Sequence, residues 1–210
     1  MLYVTLHDDY GTKKFHVHKK LICDKSPYFA ALKNFSEGQT NHVVLHGIDR
    51  DAFRQVLSWV YSGNFQKGDL LDRDTLIETY VAADRFLMDQ CKNMALDELR
   101  TLFRSEEMKF SGVRLINGLG LNTGSAVVQF VIDQYVYDCI NGSNEDGDDQ
   151  LFEMRGLRPE IYNEVLYKFW ELARQYGDHA NKRSSKPDNP ASLEGCMYHA
   201  HKRNEECYLE

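Results

Sequence analysis

Leu2, Val4 and Leu6 alternate with Tyr3 and Thr5, the period of a strand with one face buried. Asp8-Asp9-Tyr10-Gly11 interrupts the run with turn-forming residues, and Phe15-His16-Val17-His18 resumes it, so a hairpin is expected at the start. An apolar helical turn around Leu21 and Ile22 follows. Ser26-Pro27 then opens a second short helix carrying Tyr28 and Phe29 to about Lys33, because a serine oxygen caps free amides and proline loses nothing at the first helical position. After a polar loop from Phe35 to Asn41, Val43-Val44-Leu45 reads as a third strand. Asp49 or Asp51 caps a helix in which Phe53, Val56, Leu57 and Val60 recur at spacings of three and four, and Gly63 ends it. Past the loop 64–69, Leu76, Tyr80, Ala83 and Leu87 mark the apolar face of another helix. Cys91, Met94, Ala95 and Leu99 continue the pattern to about residue 103.

The second half is helical by the same test. Ser125 is placed to cap a helix whose packing face carries Val128, Ile132, Tyr135, Val136 and Cys139. Pro159 starts another, running through Tyr176 with Ile161, Val165, Phe169, Leu172, Ala173 and Tyr176 inward and Gly177 closing it. Each helix needs a packing partner, since alone its apolar stripe would stand in water. Between them lies an acidic loop, Asn141 to Gln150, and residues 184–195 read as a flexible linker.

Composition narrows the function. The 210 residues are 42% hydrophobic, enough for one sizeable core or a domain with a helical extension. With 25 basic against 32 acidic residues, the formal charge of −7 speaks against a nucleic-acid surface, which needs clustered Lys and Arg. No apolar run approaches a membrane span, and the first residues lack a secretory pattern, so a cytoplasmic or nuclear location is expected, with no membrane partner. Five widely spaced cysteines, an odd number, point to reduced thiols. Asn34-Phe35-Ser36 and Asn141-Gly142-Ser143 match glycosylation sequons but carry no weight without export.

Phe15-His16-Val17-His18-Lys19-Lys20-Leu21-Ile22-Cys23-Asp24-Lys25-Ser26-Pro27-Tyr28-Phe29 resembles the signature of the BTB (POZ) domain. So do two later blocks in the family's order: Val43 to Gly63, with Trp59-Val60-Tyr61-Ser62-Gly63, and Ala82 to Met88 followed by Cys91. The resemblance implies an α+β fold, a helical cluster flanked by a small sheet, over residues 1–103. Residues 104–178 resemble the helical extension that follows this domain in many fungal proteins, and 179–210 form a polar tail. The family implies a structural, hydrogen-bonded role for His18. It also implies partners that are proteins, either another BTB chain or a cullin scaffold of a ubiquitin ligase. Docking of that kind would use Phe53, Leu57, Tyr61, Asn64, Phe65, Gln66 and Lys67, the loop onward to Asp69, and part of the helix from Asp89. A helix that usually precedes the family's hairpin and builds its dimer has no counterpart before Leu2 and Tyr3, so a standard homodimer is not expected, as in a truncated form or a late start.

No enzyme is expected. Gly118-Leu119-Gly120-Leu121-Asn122-Thr123-Gly124 follows a short apolar run, Val113 to Ile116, but lacks the dinucleotide spacing and the P-loop lysine; it reads as a flexible connector. Glu145-Asp146-Gly147-Asp148-Asp149 lacks the glutamate that completes a calcium loop. No His or Ser belongs to a nucleophile and base set, and no resident cofactor is expected apart from one candidate. In the tail, Cys196, His199, His201 and Cys207 place two thiols and two imidazoles within twelve residues, the ligand types of a tetrahedral zinc site in a spacing unlike a standard finger. The expected function is a non-enzymatic protein-interaction module, for which the family resemblance implies pairing with another BTB chain or an adaptor role on a cullin scaffold. The alternatives are a transcription-linked scaffold or a small zinc-binding protein acting through its tail.

Overall fold

The computed structural model describes residues 1–8, 11–35, 39–68, 71–105, 112–141, 154–177 and 187–201. The acidic loop 145–149, Asp69, Cys207 and the serines of both sequons lie outside the described residues. The chain divides into two compact units, Met1–Leu99 and Arg100–Glu210, a boundary a few residues before the expected one and inside a helix.

In the first unit, β1 (Leu2–Asp8) lies at the centre of a three-stranded sheet. It pairs antiparallel with β2 (Gly11–Val17) and parallel with β3 (His42–His46), in registers that set Val4 against Phe15 and Val43. Val4, Leu6, Val17, Val43 and Leu45 form the buried face, as the alternation predicted. Thr5 departs from the pattern. It is 6% exposed although it faces the other way, and its hydroxyl bonds His42 Nε2 at 2.9 Å across the sheet.

Between β2 and β3 come α1 (Lys19–Lys25), α2 (Pro27–Ala31) and a 3-10 turn, Leu32–Asn34. Ser26 Oγ caps α2 by accepting from the Phe29 amide at 3.2 Å, and it also donates to the Phe86 carbonyl at 2.7 Å. α3 (Arg50–Ser62) has the Asp49 side chain accepting from the Asp51 and Ala52 amides, and Gly63 at φ 76° ends it. That left-handed turn is where glycine is strain-free.

α4 (Arg73–Arg85) opens on an Asp72 cap. Leu87, expected on its apolar face, is instead 57% exposed. The helix ends before it, Leu87 takes φ 58°, and the Met88 amide reaches back to the Ala83 carbonyl at 2.9 Å. Leu87 thus occupies the left-handed closing position that glycine usually fills. Phe53, Phe29 and Phe86 form the aromatic centre, with ring centroids 5.9 Å apart for Phe53–Phe86 and 5.0 Å for Phe29–Phe86.

α5 (Asp89–Ser105) carries Cys91, Ala95 and Leu99 into the core of the first unit. Its last residues belong to the second unit, where Phe103 meets Phe130 edge to face at 5.6 Å. There α6 (Gly112–Gly118) leads to α7 (Ala126–Asn141), the best buried helix of the unit, with Val127, Val128, Phe130, Val131, Ile132, Gln134, Tyr135 and Val136 all inside. Burial on so many sides goes beyond the single face that periodicity predicted, and Cys139, expected on that face, is half-buried. Ser125 does not cap α7 with its side chain: Oγ is buried without a hydrogen-bond partner. The glycine-rich connector is fastened, since Arg158 donates its amide to Asn117 Oδ1 at 2.6 Å and Nη2 to the Leu121 carbonyl at 2.8 Å.

α8 (Pro159–Gly177) buries Ile161 and Val165 fully. Phe169 and Leu172 are only half-buried and Ala173 is exposed, so the inward stripe fades after two turns, while Tyr162, Leu166, Tyr167 and Trp170 stand in solvent. The expected linker is packed over part of its length. Pro190 and Ala191 are buried in a 3-10 turn, Pro190–Ser192, and the Ala191 amide donates to Gln134 Oε1 at 3.1 Å. Arg100 and Arg104 donate to the Leu193 and Ala191 carbonyls.

Candidate functional site

Arg54, Leu57, Ser58, Tyr61 and Ser62 recur at three- and four-residue intervals and so share one side of α3, away from buried Ala52, Val56 and Val60. With Phe15 from β2 and Gln66 from the following loop, they line an open groove of about 460 Å³. Phe15 and Leu57 are half-buried and the Tyr61 ring is 48% exposed, giving an apolar floor; Arg54, Ser58, Ser62 and Gln66 supply polar groups at its rim.

Local hydrogen bonds hold this shape. Buried Gln55 exchanges both bonds with the backbone of Gln66, donating to its carbonyl at 3.3 Å and accepting from its amide at 2.8 Å. Ser58 and Ser62 both donate to the Asn64 carbonyl, at 2.9 and 3.0 Å. The Tyr61 hydroxyl accepts from the His18 amide at 3.0 Å and bonds His18 Nδ1 at 2.9 Å, with the rings edge to face at 5.7 Å. The strand-to-helix junction is thereby tied to the groove wall, which is the structural role expected of His18.

Two of the expected contact residues do not face a partner. Phe53 is fully buried, its ring against Phe15 at 5.0 Å and Phe86 beyond, because the apolar stripe of α3 turns it into the core. Phe65 is 7% exposed and anchors the loop from beneath. Leu57, Tyr61 and Gln66 meet in the groove, while Asn64 and Lys67 are exposed beside it. Arg54, Ser58 and Ser62 were missed, although helical spacing from Leu57 and Tyr61 points to them. Phe15 carries no such signal, since the sheet delivers it.

In the second unit, the donor atoms of Cys196, His199 and His201 all lie within 4.8 Å of one another. Cys207, the fourth expected ligand, lies outside the described residues. Tyr198, within this cluster's span, is 5% exposed and donates to Asp133 Oδ2 at 2.9 Å. Burial first, then the Asp133 charge and hydrogen bond, push the Tyr198 phenol well above its ordinary range against the opposing Arg100 guanidinium, so it stays a donor. Lys168 Nζ holds the other Asp133 oxygen at 3.0 Å. Burial pulls this ammonium down, but the Asp133 bond and nearby carboxylates outweigh it and keep it charged.

Among the described residues, no helix is long and apolar enough to cross a membrane. One family model, described as BTB/POZ domain, matches residues 3–102, the span that holds the three-stranded sheet, the Ser26 cap, the His18–Tyr61 contact and the Gly63 turn. The chain therefore carries a BTB/POZ domain over residues 3–102, a non-enzymatic protein–protein interaction module.

Proposed function

We propose that this protein is a non-enzymatic adaptor that docks a cullin scaffold of a ubiquitin ligase through the α3 groove. The supporting observation is the groove itself. It lies on the helix and following loop that the family resemblance assigns to docking, and its apolar floor with a polar rim suits an aliphatic or aromatic side chain of a partner whose neighbouring polar groups meet Arg54 and Gln66. A hydrogen-bonded wall keeps the cost of ordering low, because Gln55, Ser58 and Ser62 already fix the loop.

The test is size-exclusion chromatography with light scattering, on the chain alone and mixed with the N-terminal region of the host's cullin. The expected result is a complex of added mass. Leu57→Glu places a charge in the groove floor and is expected to weaken binding by roughly a hundredfold, as for a central contact worth about 2–3 kcal/mol, with the thermal melt preserved. A chain that ignores the cullin, or a complex indifferent to Leu57→Glu, would overturn this reading.

A further inference from the structure

We propose that Cys196, His199 and His201 are ligands of a zinc ion that clips the C-terminal segment onto the second unit. This site is independent of the α3 groove. The three donors come from six consecutive residues, yet the backbone brings them together: the His199 amide donates to the Cys196 carbonyl at 3.0 Å, folding Cys-x-x-His into a turn. The His199 and His201 rings stand edge to face with centroids 5.7 Å apart.

Tyr198 supplies the anchor that makes this a site rather than a passing turn. Its ring packs on Phe130 at 5.4 Å and its hydroxyl reaches Asp133, so the segment is pinned to α7. Upstream, Gln134, Arg100 and Arg104 hold residues 191–193 by their backbone. The donors therefore sit on a fixed base before any metal arrives, and only side-chain rotation remains.

Donor chemistry selects the ion. One thiol with two imidazoles is a poor set for calcium or magnesium, which want oxygen ligands, and a good one for zinc, a borderline-soft ion with no geometric demand from its d-electrons. Bond lengths of about 2.3 Å to sulfur and 2.0–2.1 Å to nitrogen at tetrahedral angles set the donors roughly 3.5 Å apart. Closing from within 4.8 Å takes about an ångström of movement in side chains that are half-buried or, for His201, exposed. Three protein ligands leave the fourth corner of the tetrahedron to a further donor.

The experiment uses the full chain, freed of any histidine tag, with metal analysis after dialysis and cobalt substitution as the spectroscopic probe. The expected result is about one zinc per chain and a cobalt spectrum showing thiolate charge transfer with the strong visible absorption of a tetrahedral centre. Cys196→Ser is expected to abolish the charge-transfer band, whereas Cys139→Ser, at a cysteine of α7 outside the cluster, keeps it. Because His201 is exposed, His201→Ala removes little packing beyond its edge-to-face contact with His199, yet it is expected to weaken zinc by more than the roughly tenfold loss that follows removal of an outer-sphere partner. Chelation should lower the melting temperature of the parent and leave that of Cys196→Ser unchanged. Absence of stoichiometric zinc, or a cobalt spectrum that survives Cys196→Ser, would overturn the proposal.

Discussion

Removing one oxygen atom from the centre of the first unit should be costly. Ser26 is fully buried, and its hydroxyl makes two bonds of different kinds: it accepts from the Phe29 amide as the cap of α2, and it donates to the Phe86 carbonyl, sixty residues away. Ser26→Ala loses the cap, worth about 0.5–2 kcal/mol, and takes the donor from a carbonyl inside the core, worth about 1–3 kcal/mol. Together these give roughly 2–4 kcal/mol, a sizeable part of the 5–15 kcal/mol that holds a domain. For a unit of about a hundred residues, this corresponds to a fall in melting temperature of roughly 8–20 °C. The assay is a near-ultraviolet dichroism melt beside Lys20→Ala, whose side chain is exposed on α1 and whose loss should cost less than about 0.5 kcal/mol. If Ser26→Ala melts within about 2 °C of the parent, the tie between α2 and the end of α4 contributes little, and the reasoning from burial fails.

Tyr61→Phe keeps the ring against His18 but removes the hydroxyl shared by the His18 amide and Nδ1, and should cost about 0.5–1.5 kcal/mol in urea unfolding; an unchanged midpoint would make the contact idle. Asp138 on α7 is pushed up to about 6 by burial, against the opposing hydrogen bond from Gln134. Its proton is held more tightly in the fold than in the unfolded chain, so the stability it contributes is full below about pH 4 and is lost as pH rises through about 6. Asp138→Asn should therefore raise the melting temperature at pH 7.5 or so and change it little at pH 4, as read from melts across that range; a gain independent of pH would refute the assignment.

Features set by near neighbours were legible in the sequence. The cap at Ser26, the cap at Asp49 (one of two neighbouring aspartates the spacing offered), the turn at Gly63 and the alternation in β1 depend on residues within a few positions, and they stand where spacing put them. Features set by distant partners were not. Periodicity carried Leu87 onto a helical face because nothing local marks a left-handed leucine, and the closing bond from Met88 to Ala83 is what fixes it. Residues 190–193 read as linker by composition, yet side chains on α5 and α7 supply their hydrogen bonds. In the groove, Leu57 and Tyr61 could be named from the helix, but which of Phe53 and Arg54 faces outward depends on where Phe86 packs. The three candidate metal ligands, one thiol and two imidazoles, were visible as a cluster in sequence. Their convergence needed the turn at Cys196 and the anchoring of Tyr198.

The central place of β1 also sets an order of events during synthesis. Its antiparallel partner β2 follows within a few residues, and such a hairpin closes in about 1–10 μs. Its parallel partner β3 begins only at His42, after α1 and α2 have been made, and at about 5–20 residues per second that is a wait on the order of 1–6 s. Throughout that interval the nascent hairpin carries an unpaired edge along Val4 and Leu6, open to any other extended chain that meets it at the ribosome.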